Sequence, residues 1–124
     1  HVQRYREQTG IAVDFLHSGV EGMRFAADVE TTAYRIIQEA LTNTARHARA
    51  ARVEVDVRAR GGFLELRVED DGQGFDPALE IARQRGLSGM RERAGLLGGT
   101  FEVDTAPGRR TVIFARLPLK GGAA

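Results

Sequence analysis

The chain has 124 residues, is 42% hydrophobic and 28% charged, and carries a net charge of +1 at pH 7. This length allows one domain with a single sizeable core. The low net charge and the 6% aromatic content disfavour a nucleic-acid-binding surface. The absence of cysteine excludes disulfides and thiolate metal sites and is consistent with a reducing cytoplasm. The sequence shows no membrane-spanning run and no initiator Met, and we interpret it as a piece of a longer protein.

The first half of the chain is predicted to form a short helix, a strand and a long helix. Residues 1–8 are polar and predict the short helix, residues 11–16 alternate like a strand, and a loop follows over 17–23. Asp28 is the predicted N-cap of the long helix, which runs to about Ala48. Its apolar residues recur at helical spacing: Ala33, Ile37, Ala40, Leu41, Ala45 and Ala48.

The second half predicts two pairs of strands separated by a helix. The first pair covers 52–60 and 63–70, with a hairpin at the two glycines between them. Residues 87–97 predict a helix that ends at a glycine pair, and 100–105 and 111–119 predict the last two strands. The order of elements predicts an α+β fold, with one mixed sheet and helices packed on one face.

The long helix has a polar face opposite its apolar stripe. Arg35, Glu39, Asn43 and His47 are spaced by four residues and lie on one side of the helix, and Arg46 flanks them. A solvated face explains most such rows. Asparagine is unfavourable inside a helix, because its side chain competes for backbone hydrogen bonds. Its position one turn after a glutamate therefore hints at oxygen ligation.

The stretch VEDDGQGF ends a predicted strand with two carboxylates and two glycines. An ionised Asp70 can accept hydrogen bonds from an amino group, and the backbone at Gly72 and Gly74 leaves room for a planar group. This pattern suits adenine; guanine would present a carbonyl there, at a cost of about 1–3 kcal/mol. A tight turn is the alternative. A calcium loop of the EF-hand type is excluded, since its twelfth position is Ile81 rather than glutamate.

A second pair of glycines, Gly86 and Gly89, precedes the predicted helix over 87–97. Free N–H groups at a helix start bind phosphate through oriented donors and the helix dipole. An ordinary N-cap loop has the same glycine pattern. The P-loop pattern GxxxxGK[ST] is absent from the chain.

Four stretches in order resemble the catalytic, ATP-binding domain of sensor histidine kinases, in particular the nitrate/nitrite-sensor and DesK type with a short ATP lid. The resemblance implies a Bergerat-type two-layer α/β sandwich covering residues 1–120, with 121–124 as a tail. The stretches are YRIIQEALTNTARHA (34–48), VEDDGQGFD (68–76), GLSGMRERAGLLGG (86–99) and APGRRTVIFARLPL (106–119).

The resemblance implies ATP and Mg²⁺ as cofactors and assigns roles to individual residues. Asn43 is the implied Mg²⁺ ligand, and Glu39 either polarises a water or positions the metal; these two are the implied catalytic residues. Asp70 is the implied adenine acceptor. The full implied nucleotide site comprises Asn43, Arg46, His47, Asp70, Gly72, Gly74, Gly86, Leu87, Gly89, Met90 and Thr111.

The chain departs from the family pattern at two positions. Gln84 stands at the usual first glycine of the second glycine box, and Arg110 replaces the glycine before Thr111. Either these residues crowd the edge of the nucleotide, or Arg85 and Arg110 add phosphate contacts. We expect residues 76–85 to form the lid, ordered by nucleotide.

The implied function is transfer of the ATP γ-phosphoryl group to a histidine on a dimerisation domain that this chain lacks. The implied partners are that domain and a downstream response regulator, in the cytoplasm, without nucleic acid or direct membrane contact. Two alternatives remain open. One is an enzyme of the same fold acting alone, such as an ATPase or an anti-sigma-factor serine kinase. The other is a non-catalytic module that contacts a partner.

Overall fold

A computed structural model describes residues 2–20, 25–74 and 81–119, without side chains at 2–5, 47–48 and 81–84. Within these ranges, no helix is long and apolar enough to cross a membrane. The elements are α1 (Val2–Thr9), β1 (Ala12–Ser18), α2 (Ala27–Asn43), a π-helical turn (Thr44–Ala48), β2 (Arg52–Arg60), β3 (Phe63–Asp70), α3 (Ile81–Leu96), β4 (Thr100–Asp104) and β5 (Thr111–Pro118).

The five strands form one mixed sheet in the order β1-β2-β3-β5-β4. The β1–β2 pair is parallel and the other pairs are antiparallel, while α2 and α3 pack on one face. The predicted α+β sandwich is therefore confirmed. The predicted hairpin is also confirmed: Gly61 and Gly62 have φ of 62° and 82°, as a two-residue turn between twisted strands requires.

The core lies between the sheet and the two long helices. Alternate residues of β2, β3 and β5 face the helices, because successive side chains of a strand point to opposite faces. Val53 and Val55 are fully buried there, and Ile36 of α2 is equally buried. Ile37, predicted to lie in the apolar stripe, is only half-buried, and Ala45 is exposed. The stripe ends at Thr44, where the change to π geometry breaks the 3.6-residue spacing.

Three predicted element ends were wrong. The N-cap of α2 is Ala26, and the Asp28 carboxylate instead accepts the N–H of Val29 at 2.9 Å. Strand β1 continues to Ser18, into the predicted loop. Helix α3 begins at Ile81, six residues before the predicted start. The additional residues IARQR are mostly good helix formers, so they extend the helix despite the glycine that follows them.

Candidate functional site

Asp70 is the last residue of β3, and its side chain points toward the helices. The residue is only 5% exposed. Its Oδ1 atom accepts the backbone N–H of Gly72 at 2.9 Å, and its Oδ2 atom lies 3.3 Å from the Thr44 hydroxyl. A buried carboxylate therefore occupies the junction between the end of the sheet and the end of α2.

Burial raises the pKa of Asp70 above its ordinary value. The neighbouring charge of Asp71 acts in the same direction, whereas hydrogen bonds from Gly72, Thr44 and Thr111 lower the pKa. The effect of burial is the larger one, because an ionised carboxylate loses hydration there and no cation among the described residues offsets that loss. Asp70 therefore holds a proton more readily than an exposed aspartate.

Thr44 is a site residue that the sequence analysis missed. It is 3% exposed, and its hydroxyl lies 3.0 Å from the Ala40 carbonyl oxygen as well as 3.3 Å from Asp70 Oδ2. The sequence contained one signal. Thr44 follows Ala40 by four residues and Leu41 by three, so it continues the buried stripe of α2 with a polar side chain.

Asp71 has a different role from Asp70, because adjacent strand residues face opposite ways. Asp71 is exposed, and its Oδ1 atom accepts the N–H groups of Ala51 at 2.9 Å and Arg52 at 3.0 Å. These bonds tie the end of β3 to the beginning of β2. Of the two carboxylates, one points into the candidate site and the other holds two strands together.

Gly74 is required by chain packing as well as by backbone conformation. Its φ is 65°, and a Cβ atom there would lie 2.0 Å from the carbonyl oxygen of Ala106 and 2.3 Å from that of Arg109. The space beside this glycine, predicted to admit a planar ligand, is thus occupied by the β4–β5 connection. Contact between Gly74 and a nucleotide stays a prediction.

Thr111 lies next to Asp70 on the neighbouring strand. The two residues are paired in the β3–β5 register, and Thr111 is 7% exposed. Its hydroxyl lies 2.8 Å from that of Thr105. The two residues that the resemblance assigns to the adenine therefore share one end of the sheet and one buried environment.

Glu39 and Asn43 converge on the surface of α3. A Cβ atom added at Gly86 would lie 3.3 Å from Glu39 Oε2, 3.4 Å from Asn43 Nδ2 and 3.7 Å from Asn43 Oδ1. The missing side chain leaves a carboxylate and a side-chain amide facing one small space, and each of these groups has an oxygen of the kind that Mg²⁺ prefers as a ligand. No group of three His, Cys, Asp or Glu side chains in the described ranges forms a metal site by itself. The residues fit a cation that takes its other ligands from phosphate and water.

The prediction that Gly86 and Gly89 precede the helix was wrong, and phosphate binding by these two glycines stays a prediction. Both glycines lie inside α3, where backbone N–H groups bond to carbonyls four residues back. Free N–H groups belong to the first turn of α3 instead. Leu87 and Met90 are 5% and 1% exposed and pack in the core, so any nucleotide contact by these two residues stays a prediction.

Residues 28–121 match the family of histidine kinase-, DNA gyrase B- and HSP90-like ATPases. The chain belongs to this ATPase family. It is 38% identical over 119 residues to DegS, a signal transduction histidine-protein kinase/phosphatase of Brevibacillus brevis, and 35% identical over 100 residues to the sensor protein VraS of Staphylococcus saprophyticus. The matches cover 96% and 81% of this chain but only 31% and 29% of those proteins, so the chain spans about a third of their length.

Solved histidine kinases share the fold of this ATPase domain. The histidine kinase domain of the blue-light activated kinase from Erythrobacter litoralis EL346 aligns with a TM-score of 0.71 at 21% identity, covering 96% of this chain and 61% of that one. AdeS of Acinetobacter baumannii aligns with a TM-score of 0.73 at 12% identity, covering 94% and 58%. At such low identity these structures support the fold alone, whereas the family match and the sequence relatives identify a histidine-kinase type of ATP-binding domain.

Some residues that the family pattern singles out fall partly or wholly outside the described structure. Arg46 is exposed on the π-helical turn, and the side chain of His47 lies outside the description. Of the predicted lid, residues 76–80 lie outside it and residues 81–85 belong to α3. Gln84 is helical, but its side chain is not described. The lid and the effect of Gln84 stay predictions.

Arg110, the second departure from the ATPase family pattern, turns away from Asp70. Its guanidinium pairs with Glu69, which also pairs with Arg67 at 2.6 Å. Glu69 and Asp70 are adjacent in β3 and face opposite sides of the sheet. Burial raises the pKa of Glu69, but the hydrogen bonds and positive charges of Arg110 and Arg67 together outweigh burial and hold the pKa below its ordinary value. The described contact of Arg110 therefore lies on the face of the sheet opposite α2 and α3.

Replacing Arg110 with alanine is expected to leave ATP affinity within about twofold of wild type. The lost ion pair is largely exposed at the arginine end and therefore weak, so the melting temperature should stay close to that of wild type. Calorimetric titration and thermal unfolding measure the two quantities. Arg109→Ala is the matched control, because Arg109 is an exposed arginine of the same connection paired with Asp104. A tenfold loss of affinity in Arg110→Ala alone would place Arg110 at the nucleotide.

Proposed function

We propose that this domain binds Mg²⁺–ATP where α2, α3 and the end of β3 meet, and that it serves a sensor histidine kinase. One observation carries the proposal. Thr44 contacts Asp70, and the preceding Asn43 converges with Glu39 on Gly86. A single helix end therefore brings a candidate purine-reading carboxylate and a candidate metal site into one neighbourhood.

Asp70 is suited to read the exocyclic amine of adenine. The two carboxylate oxygens can together accept about four hydrogen bonds, and Gly72, Thr44 and Thr111 supply three of them. Asp70 therefore retains acceptor capacity for a ligand N–H. The carbonyl of guanine at the same place would face a second acceptor, at a cost of about 1–3 kcal/mol.

Asn43 and Glu39 are suited to the phosphate end of the nucleotide. Mg²⁺ bound there would neutralise charge on the transferring phosphoryl group. Asn43 would hold it through Oδ1, and the Glu39 carboxylate would orient a water or the metal shell beside it. Arg46 is exposed one turn further along the chain, and its guanidinium would contact a phosphate from there.

The proposed reaction breaks the bond between the γ-phosphorus and the β–γ bridging oxygen and forms a phosphorus–nitrogen bond to a histidine imidazole. ADP leaves, and the imidazole proton passes to solvent or to a nearby base. The acceptor histidine belongs to a dimerisation domain outside this chain, and a response regulator receives the phosphoryl group next. The names of DegS and VraS support this assignment. The domain itself contributes positioning and electrostatics rather than covalent chemistry.

Calorimetric titration with ATP and GTP, each with and without Mg²⁺, tests the proposal. We expect ATP to bind about tenfold or more tightly than GTP, as one mismatched acceptor pair predicts. Equal affinity for the two nucleotides would contradict the role of Asp70. Steady ATP hydrolysis by the isolated chain that is abolished in Glu39→Ala would favour an enzyme acting alone.

Asn43→Ala is expected to weaken binding of Mg²⁺–ATP by about tenfold while changing metal-free ATP binding by less than threefold. The reason is that the variant removes an oxygen ligand of the metal and leaves Asp70 intact. The same titrations measure both affinities. Gln38→Ala is the control, since Gln38 is exposed on the same helix. An equal loss with and without Mg²⁺ would remove Asn43 from the metal shell.

A further inference from the structure

We propose that Thr44 is a positioning residue that orients the Asp70 carboxylate for purine recognition and couples it to the turn carrying Asn43. The inference rests on the proposed function of Asp70. Thr44 is the first residue after α2, at the change from α to π geometry, and it is 3% exposed. Single π turns inside helices are frequent at functional sites.

The Thr44 hydroxyl has one proton and two acceptors within reach. The Ala40 carbonyl oxygen lies at 3.0 Å and Asp70 Oδ2 at 3.3 Å, so the proton serves one of them at a time. The Ala40 carbonyl also accepts the backbone N–H of Thr44. It therefore keeps a partner when the hydroxyl turns to Asp70, and the hydroxyl is available to the carboxylate.

Asp70 depends on this hydroxyl more than an exposed carboxylate would. The charged group acting on it is Asp71, which disfavours ionisation, and no cation acts on it from the described part of the chain. Support for the ionised form comes from the hydroxyl and from the N–H groups of Gly72 and Thr111. Gly72 holds Oδ1 and Thr44 holds Oδ2, so together they define the plane of the carboxylate.

The hydroxyl also bears on which purine is accepted. An ionised Asp70 is only an acceptor and matches the amine of adenine, whereas a protonated Asp70 has an O–H that can donate to the carbonyl of guanine. Loss of the Thr44 donor favours the protonated form. Thr44 therefore helps to keep Asp70 selective for adenine, a role that packing alone would not produce.

The test compares Thr44→Val and Thr44→Ala, which lack the hydroxyl, with Thr44→Ser, which keeps it. In nucleotide-free protein, ¹³C NMR titration of the Asp70 carboxyl should show a higher pKa in the Val and Ala variants and an unchanged pKa in the Ser variant. ATP affinity should fall about tenfold or more without the hydroxyl and stay within threefold with serine. The ratio of ATP affinity to GTP affinity should decrease toward one in the Val and Ala variants.

Two results would overturn the inference. One is an unchanged Asp70 pKa together with unchanged ATP affinity in Thr44→Val or Thr44→Ala, measured on a variant that a thermal unfolding transition shows to be folded. The other is a loss of ATP affinity in Thr44→Ser as large as in the hydroxyl-free variants, which would assign the effect to packing. Failure of the proposed function would appear separately, as unchanged ATP affinity in Asp70→Asn. That result would also refute the inferred effect of Thr44 on nucleotide binding, whatever the NMR titration shows.

Discussion

The Asp70→Asn protein is expected to lose ATP affinity by about a hundredfold while melting at no lower a temperature than wild type. If the nitrogen of the asparagine amide faces the ligand, two N–H donors meet, one from the amide and one from the adenine amine. If the oxygen faces the ligand, the acceptor carries no charge. Loss of a charged hydrogen bond is worth about 1.5–3 kcal/mol, which corresponds to roughly one to two orders of magnitude in affinity. Calorimetric titration measures the affinity, and thermal unfolding measures the stability.

Stability is expected to survive because the ionised Asp70 opposes folding. Burial raises its pKa in the folded protein, so the folded state binds a proton more tightly than the unfolded state. In the wild-type protein, the contribution of Asp70 to the free energy of unfolding should therefore increase as the pH falls from above the raised pKa toward the ordinary pKa of aspartate. Asp70→Asn should lack that pH-dependent component, since it has no proton to bind.

Hydrogen bonding is also compatible with asparagine. Its Oδ1 atom can accept the N–H of Gly72, and its amide can donate to the Thr44 hydroxyl, whose proton then goes to the Ala40 carbonyl. Asp71→Asn is the matched control, because Asp71 is exposed and bonds only backbone in its described contacts. Wild-type ATP affinity in Asp70→Asn would refute the assignment of Asp70 to adenine.

Gly74→Ala is expected to destabilise the domain by about 2–5 kcal/mol. A Cβ atom would lie 2.0 Å and 2.3 Å from two carbonyl oxygens of the β4–β5 connection, and φ is 65°. The left-handed conformation costs about 1–2 kcal/mol for a residue with a side chain, and overpacking adds about 1–3 kcal/mol. Urea denaturation gives the free energy of unfolding.

Gly108→Ala separates the two causes. Gly108 lies in the same connection with φ of 80°, but a Cβ atom there would meet nothing within 4 Å. Its substitution should therefore cost only the conformational part, about 1–2 kcal/mol. An equal decrease in the free energy of unfolding of the two variants would contradict a steric clash at Gly74. Backbone conformation alone would then explain the glycine.

Local patterns were enough to predict the fold class and most elements. The strands over 52–60 and 63–70 have the predicted bounds, because strict alternation and the intervening glycine pair are properties of adjacent residues. The chemistry of VEDDGQGF likewise singled out Asp70, since a carboxylate ending an apolar strand is unusual at a buried position. The order of the four stretches predicted the ATPase family that the comparisons show.

The sequence by itself therefore determined the family and the layered fold, and it predicted which side chains carry chemistry. The tertiary structure alone decided the contact of Thr44 with Asp70, the close approach at Gly74 and the pairing of Arg110 on the other face of the sheet. Each of these depends on atoms from segments far apart in the chain. Periodicity describes one segment at a time, so it indicates which face a residue occupies but not which distant atom meets it there.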